Sequence, residues 1–349
     1  MGKIICGDAL TALKALPSAS CRCCVTSPPY LNLRDYGTPG QIGLEPTMQE
    51  YLAKLVEVFA EVRRVLTDDG TLWVNIADCY SGSGKGAALY PDNAIKYKQG
   101  TSRGTLGVAA ITKVRSILPA KNLMGVPWRL AFALQDDGWI LRQDIIWEKT
   151  NCMPESVRDR CTKNHEYIFL LAKQPRYYFD GAAIRVPIAD STVGRLGQDI
   201  DNQSGSARAH GGTKNMKAVA GSKGAFGGKQ SRRRSGNKER KERPVPFIHK
   251  GGFAGNVPFE YITEYRNKRS VWSMSTAAGN RNHYATFPDE LAVNCILAGT
   301  AEGDTVLDPF VGSGTTCRVA NRYGRDYIGI DINQGYCVDA EQGIPINLF

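Results

Sequence analysis

Near the end of the chain an apolar stretch over 305–307 runs into Asp308-Pro309-Phe310-Val311-Gly312-Ser313-Gly314-Thr315-Thr316, and a helical pattern follows to Tyr323. Strand, glycine turn and helix in that order leave few folds open. The turn brings backbone N–H groups to a helix N-terminus at the carboxyl end of a strand, which is where open α/β sheets bind ligands. Apolar runs bounded by turn residues predict six further strands, over 3–6, 21–27, 71–76, 143–147, 166–171 and 327–330. Helical patterns alternate with most of them. The chain reads as α/β: a doubly wound, mostly parallel seven-stranded sheet, with a reversed strand in the 143–171 hairpin.

A second landmark lies at the end of the 21–27 strand, in Thr26-Ser27-Pro28-Pro29-Tyr30. Two consecutive prolines fix φ and carry no N–H, so the carbonyls of Ser27 and Pro28 are held as pure acceptors beside a hydroxyl and an aromatic face. An exocyclic amino group of a planar base is a donor that fits there. Taken alone, the same residues also serve as an ordinary proline turn leaving a strand.

Charge locates a partner. The chain of 349 residues has a formal net charge of +10, and residues 185–269 hold 18 Lys and Arg against 7 Asp and Glu, so this one segment carries the whole excess. A near-neutral body with one basic segment points to a polyanion met at one place. The ten cysteines are scattered through predicted strands and helices, as reduced small hydrophobes are. Cys21 and Cys24 have C-x-x-C spacing, but no second pair follows, and no metal site is predicted. No apolar run approaches membrane-spanning length and the start of the chain is no signal peptide, so the expected location is the cytoplasm. Gly82-Ser83-Gly84-Lys85-Gly86 lacks the spacing of a phosphate loop.

With both motifs in place, the chain resembles the beta-class DNA amino-methyltransferases, which transfer a methyl group from S-adenosylmethionine to adenine N6 or cytosine N4. The order, catalytic motif before cofactor motif, is that of the class. The resemblance implies a circularly permuted methyltransferase sheet whose first strand lies beside its last. It divides the chain into a catalytic half over 1–180 with an insert at about 81–118, a target-recognition region over 181–270, and a cofactor half over 271–349.

The resemblance also implies roles for residues. Ser27, Pro28, Pro29 and Tyr30 would hold the flipped base, with no metal. The cofactor would be held by Thr26, Asp308, Phe310, Gly312, Ser313, Gly314, Thr315 and Thr316, by Asp331 at its ribose, by Asp8 and Ala9 near its adenine, and by the segment from His283 to Phe287 at its methionine end. Asp8 equally reads as the N-cap of the next helix. Double-stranded DNA would meet Arg34 in a substrate-side loop, Arg158, Arg160 and Lys163 in a loop over 151–164, and the basic Arg232, Arg233 and Arg234. Arg266, Lys268 and Arg269 would follow, in a nucleic-acid-facing strand that ends at Trp272. Members often dimerise. The target expected by a narrow margin is adenine N6, because the 7–9, 266–272 and 283–288 segments look most like those of solitary enzymes. Cytosine N4 is the alternative, favoured by Ser at the head of Ser-Pro-Pro-Tyr. A DNA-binding module without catalysis would leave both motifs unexplained, and a methyltransferase acting on RNA or protein is a nearer rival.

Overall fold

The computed structural model describes residues 2–31, 38–81, 118–189, 265–276 and 287–345. Two compact units divide the chain, residues 1–184 with 268–349, and residues 185–267. In the second unit the described elements are the short strands β6 (Val186–Pro187) and β7 (Tyr265–Arg266), paired antiparallel.

The first unit is built on one eight-stranded sheet, in the order β1-β10-β9-β2-β3-β5-β4-β8. Its strands are β1 (Lys3–Cys6), β2 (Cys21–Thr26), β3 (Leu66–Ile76), β4 (Ile140–Lys149), β5 (His165–Ala172), β8 (Val271–Met274), β9 (Thr305–Asp308) and β10 (Asp326–Asp331). All pairs are parallel except those of β5, which runs antiparallel to both β3 and β4. The expected reversed strand is therefore β5, and the first strand does lie beside the last.

Helices cover both faces. On one face α1 (Ala9–Lys14), α2 (Met48–Val65) and α3 (Val126–Asp136) bury Leu13, Tyr51, Leu55, Phe59, Leu130 and Leu134 in one core. On the other, α4 (Asp289–Gly299) and α5 (Thr315–Arg322) bury Leu291, Cys295, Ile296 and Val319 with Trp73, Trp147 and Trp272. The last helix, α6 (Gln334–Gly343), sets Ala340 against Val311 and Cys317. Sequence chemistry sets the starts: Thr47 caps α2 by accepting from Glu50 N at 3.2 Å, and Asp8 caps α1 through Thr11 N at 2.9 Å.

Among the described residues the sheet has eight strands where seven were expected. The stretch expected to face nucleic acid up to Trp272 includes β8, an edge strand of the sheet, whose alternation sends Trp272 and Met274 into the core and leaves Val271 and Ser273 outside. β3 follows α2 directly at Leu66, which pairs with Cys21, but the ladder resumes only at Thr71, opposite Cys23, where the strand over 71–76 was expected. Residues 67–70 stand as a bulge opposite Arg22, which pairs with Asp69, while Lys173 pairs with Asp68.

Gly299 gives a test of packing at the centre of the second core. A Cβ there would lie 2.8 Å from Cys23 Sγ, 2.9 Å from Thr71 Oγ1 and 3.2 Å from Trp73 Nε1. Gly299→Ala should thus lower stability by about 1–3 kcal/mol despite alanine's better helix propensity. A urea midpoint at or above the wild-type value would show that the core gives way.

Candidate active site

Parallel order brings the carboxyl ends of β1, β2, β3, β9 and β10 to one edge of the sheet. The reversal of β5 places its first residues on the same edge, since Glu166 pairs with Trp147 and Tyr167 with Ile76. Residues far apart in sequence meet there.

A buried carboxylate joins the two motifs. Asp308 Oδ1 accepts from Thr26 Oγ1 at 2.6 Å and from Phe310 N at 3.1 Å, and Asp308 Oδ2 accepts from Thr316 Oγ1 at 2.7 Å. Thr26, Asp308 and Thr316 are all buried, so these side chains are spent on one another. The glycine turn is left-handed at Gly312 (φ 50°) and Gly314 (φ 80°). A Cβ at Gly314 would press on Ala340 at 3.0 Å, whereas one at Gly312 would meet nothing within 4 Å and enter open space. Beside that space Asp331 accepts from Gly312 N through Oδ2 and from Asn333 N through Oδ1.

On the other side of Asp308 lies the proline turn. Pro28 is buried, Ser27, Pro29 and Tyr30 are half-buried, and the Tyr51 hydroxyl donates to Pro29 O at 2.8 Å. Behind the turn stands a polar cluster. Tyr30 Oη donates to Glu166 Oε2 at 2.6 Å, Ser27 Oγ donates to Tyr30 Oη at 3.3 Å, and Lys149 Nζ pairs with Glu166 Oε1. Asn75 Nδ2 donates to Glu166 Oε2 at 2.9 Å, with Tyr30 Oη at 3.1 Å and Ser27 Oγ at 3.5 Å. Burial raises the Tyr30 phenol well above its usual pKa, and the Glu166 charge adds to this. Glu166, Asn75 and Lys149 were absent from the sequence-based site. For Asn75 and Glu166 the signal was a polar residue in an apolar stretch of strand, whereas Lys149, in a strand that also holds Arg142, Gln143, Asp144 and Glu148, gave none.

Other predicted residues are placed as follows. Asp8 is exposed and uses Oδ1 to cap α1, while Ala9 is buried. Phe310 is partly buried against the first core, Phe287 belongs to the second, Thr315 is buried and Ser313 half-buried. Arg158 and Arg269 are exposed. Arg160 is engaged by Glu155 and by the Tyr80 ring, 4.3 Å from its guanidinium. Lys163 donates to Asp78 O at 2.8 Å, and desolvation lowers its pKa. Lys268 lies over the Trp272 ring and Arg266 is in β7. His283, Arg34, Arg232, Arg233 and Arg234, most of the 81–118 insert and most of the basic region lie outside the described residues.

Among the described residues no group of three or more His, Cys, Asp or Glu could hold a metal, and no helix is long and apolar enough to cross a membrane. Cys21, Cys23 and Cys24 are buried, and burial pushes their thiols up, Cys21 to about 11 and Cys23 to about 12.

A family model described as DNA methylase matches residues 21–342, a span that contains both turns and the clasp between them. The chain belongs to the N6/N4 DNA methylase family. It is similar to the Type II methyltransferase M.Cfr9I of Citrobacter freundii, with 40% identity over 98% of this chain and 88% of that protein. In fold it is similar to PvuII DNA methyltransferase (cytosine-N4-specific), at TM-score 0.57 and 16% identity over 100% of this chain and 88% of that one. It is also similar to a DNA modification methylase of Thermus thermophilus complexed with S-adenosyl-L-methionine, at TM-score 0.51 and 19% identity over 99% and 96% of the two chains. As a member of this family the chain is a DNA methyltransferase.

The Asp308 clasp has a pH signature. Desolvation lifts its carboxyl from 3.8 to about 6, against the opposing hydrogen bonds of Thr26, Thr316 and Phe310. Between about pH 4 and 6 the folded chain keeps this proton and the unfolded chain releases it, so the contribution to stability falls as pH rises through that window. Asp308→Asn keeps the shape and cannot ionise. The variant should lose less stability than the wild type between about pH 4.5 and about pH 7, read from urea midpoints. Equal slopes would mean that Asp308 is already ionised in the acid range.

Proposed function

We propose that this methyltransferase modifies the N4 amino group of cytosine in double-stranded DNA, with S-adenosylmethionine as methyl donor. The observation that carries the reading is the pair of uncharged acceptors, Ser27 Oγ and the Pro28 carbonyl, beside the half-buried ring of Tyr30. An amino group has two hydrogens to place and a base has a face to stack, and the turn provides for both. Tyr51 occupies the Pro29 carbonyl, not that of Pro28. Two acceptors draw the nitrogen out of conjugation with its ring, so its lone pair is free to act, by positioning and electrostatics without a covalent enzyme intermediate.

The residues present fit the cofactor. Its open space is the one a Cβ at Gly312 would enter, bordered by the Gly312 to Thr316 turn at the start of α5 and by Asp331. Backbone amides there suit a carboxylate, and Asp331 and Asp8 suit ribose and adenine. Thr26, Asp308 and Thr316 hold the turn in shape rather than touching the ligand. When bound, the cofactor supplies a methyl group on a sulfonium sulfur. For DNA, the basic 185–269 segment and the exposed Arg158 and Arg269 are the phosphate contacts, while Arg160 and Lys163 shape their own loop.

Two considerations move the target from adenine N6 to cytosine N4. The nearby carboxylate, Glu166, is already engaged by Tyr30, Asn75 and Lys149, so it does not stand in for the charged or amide acceptor that adenine enzymes more often carry at the position of Ser27. The adenine reading also leaned on a likeness to solitary enzymes, whereas M.Cfr9I, similar over nearly the whole chain, is a Type II methyltransferase.

Expression in a host without DNA methyltransferases, digestion of its DNA to nucleosides and mass spectrometry should yield N4-methylcytosine. N6-methyladenine in the digest would restore the adenine reading. Ser27→Ala should bind cofactor as before and lose turnover by about 10²-fold or more, the scale for one preorganised hydrogen-bond partner. Wild-type turnover in that variant would remove Ser27 from the mechanism.

A further inference from the structure

We propose that Glu166 is a positioning residue for methyl transfer, acting through Tyr30 to turn the Ser27 hydroxyl into a one-way acceptor. This rests on the reading that Ser27 holds the target amino group. A hydroxyl both donates and accepts, so Ser27 can receive an amino hydrogen only if its own proton has somewhere else to go. The structure supplies that place. An ionised carboxylate can only accept, and Glu166 is held against the Lys149 ammonium in a site where it is 7% exposed. Tyr30 Oη must then donate to Glu166, which leaves the phenol oxygen to receive the Ser27 proton. With that proton directed inward and one lone pair facing Asn75 Nδ2, the other lone pair of Ser27 is left for the base.

The same carboxylate orients Asn75. Its amide nitrogen must face Glu166, and this sets the donating edge of the amide toward Tyr30 and Ser27 as well. Tyr30, Asn75 and Lys149 thereby all donate to Glu166, and Ser27 donates to Tyr30. Reversal of β5 is what makes this possible, because it sets Glu166 level with the end of β3 and next to Lys149 of β4. Aromatic stacking and hydroxyl direction become two separate duties of Tyr30, the ring for the base and the phenol for Ser27.

The duties can be separated by experiment. Tyr30→Phe keeps the ring and removes the link. Glu166→Gln replaces an acceptor with a group that can present an N–H to Tyr30, which allows the whole chain of hydrogen bonds to turn round. Each should lower kcat by about ten- to a hundredfold with the DNA Kd unchanged, and the double variant should be no slower than the slower single one, because the second change breaks a link already broken. Losses that multiply in the double variant, or wild-type kcat in Tyr30→Phe, would overturn the inference. Should Glu166→Gln fail to fold with Lys149 left unpaired, Tyr30→Phe alone decides by the same criterion. Ser27→Ala, run alongside, separates the two levels. Full kcat there refutes the Ser27 reading itself, and a large loss there with no loss in Tyr30→Phe refutes only the role of Glu166.

Discussion

The hydrogen bonds converging on the buried Asp308 carboxylate hold this active site together. Thr26 comes from the strand that ends in the proline turn, Thr316 from the first turn of α5, and Phe310 N from the glycine turn between them. On the reading proposed above, one carboxylate thereby fixes the spacing between the place of the base and the place of the methyl donor. Transfer between two bound molecules depends on that spacing to within fractions of an ångström, which is where most of the rate gain from positioning arises. Burial of a carboxylate is costly, and the raised pKa of Asp308 is the measure of that cost here.

Behind the proline turn a second buried carboxylate, Glu166, takes the opposite solution. It keeps a cation, Lys149, against one oxygen and two neutral donors against the other. Both acids thus serve the site without touching the reacting atoms on the reading proposed above. Their work is to hold neutral groups, hydroxyls and amides, in one orientation at low dielectric, where each hydrogen bond is strong and a misdirected one is expensive.

Much of this protein could be read from residue order alone. Apolar runs bounded by turn residues located all seven strands that were expected, and the glycines of Gly312 and Gly314 announced a turn whose positive φ the structure shows. The two motifs, each at a strand end, required an α/β sheet with its ligands on one edge, because parallel strands end together. Those signals are local. A proline pair restricts its own φ, a glycine its own turn, and an apolar stripe its own helix, so a linear reading captures them.

What the sequence by itself determined, then, was the class of fold, the two turns and the chemistry that their side chains make available. Only the tertiary structure decided where strand partners lie and which polar groups meet. Trp272 belongs to an edge strand because β4 offered it a parallel neighbour, and Arg22 meets Asp69, 47 residues on, at the bulge where β3 leaves the register of β2. Glu166, 136 residues from Tyr30, becomes its hydrogen-bond partner only through the reversal of β5. Pairing across such distances depends on the free energy of the whole sheet, which no short stretch of residues records, and for that reason the meeting of these polar groups behind Ser27 shows only in the folded chain.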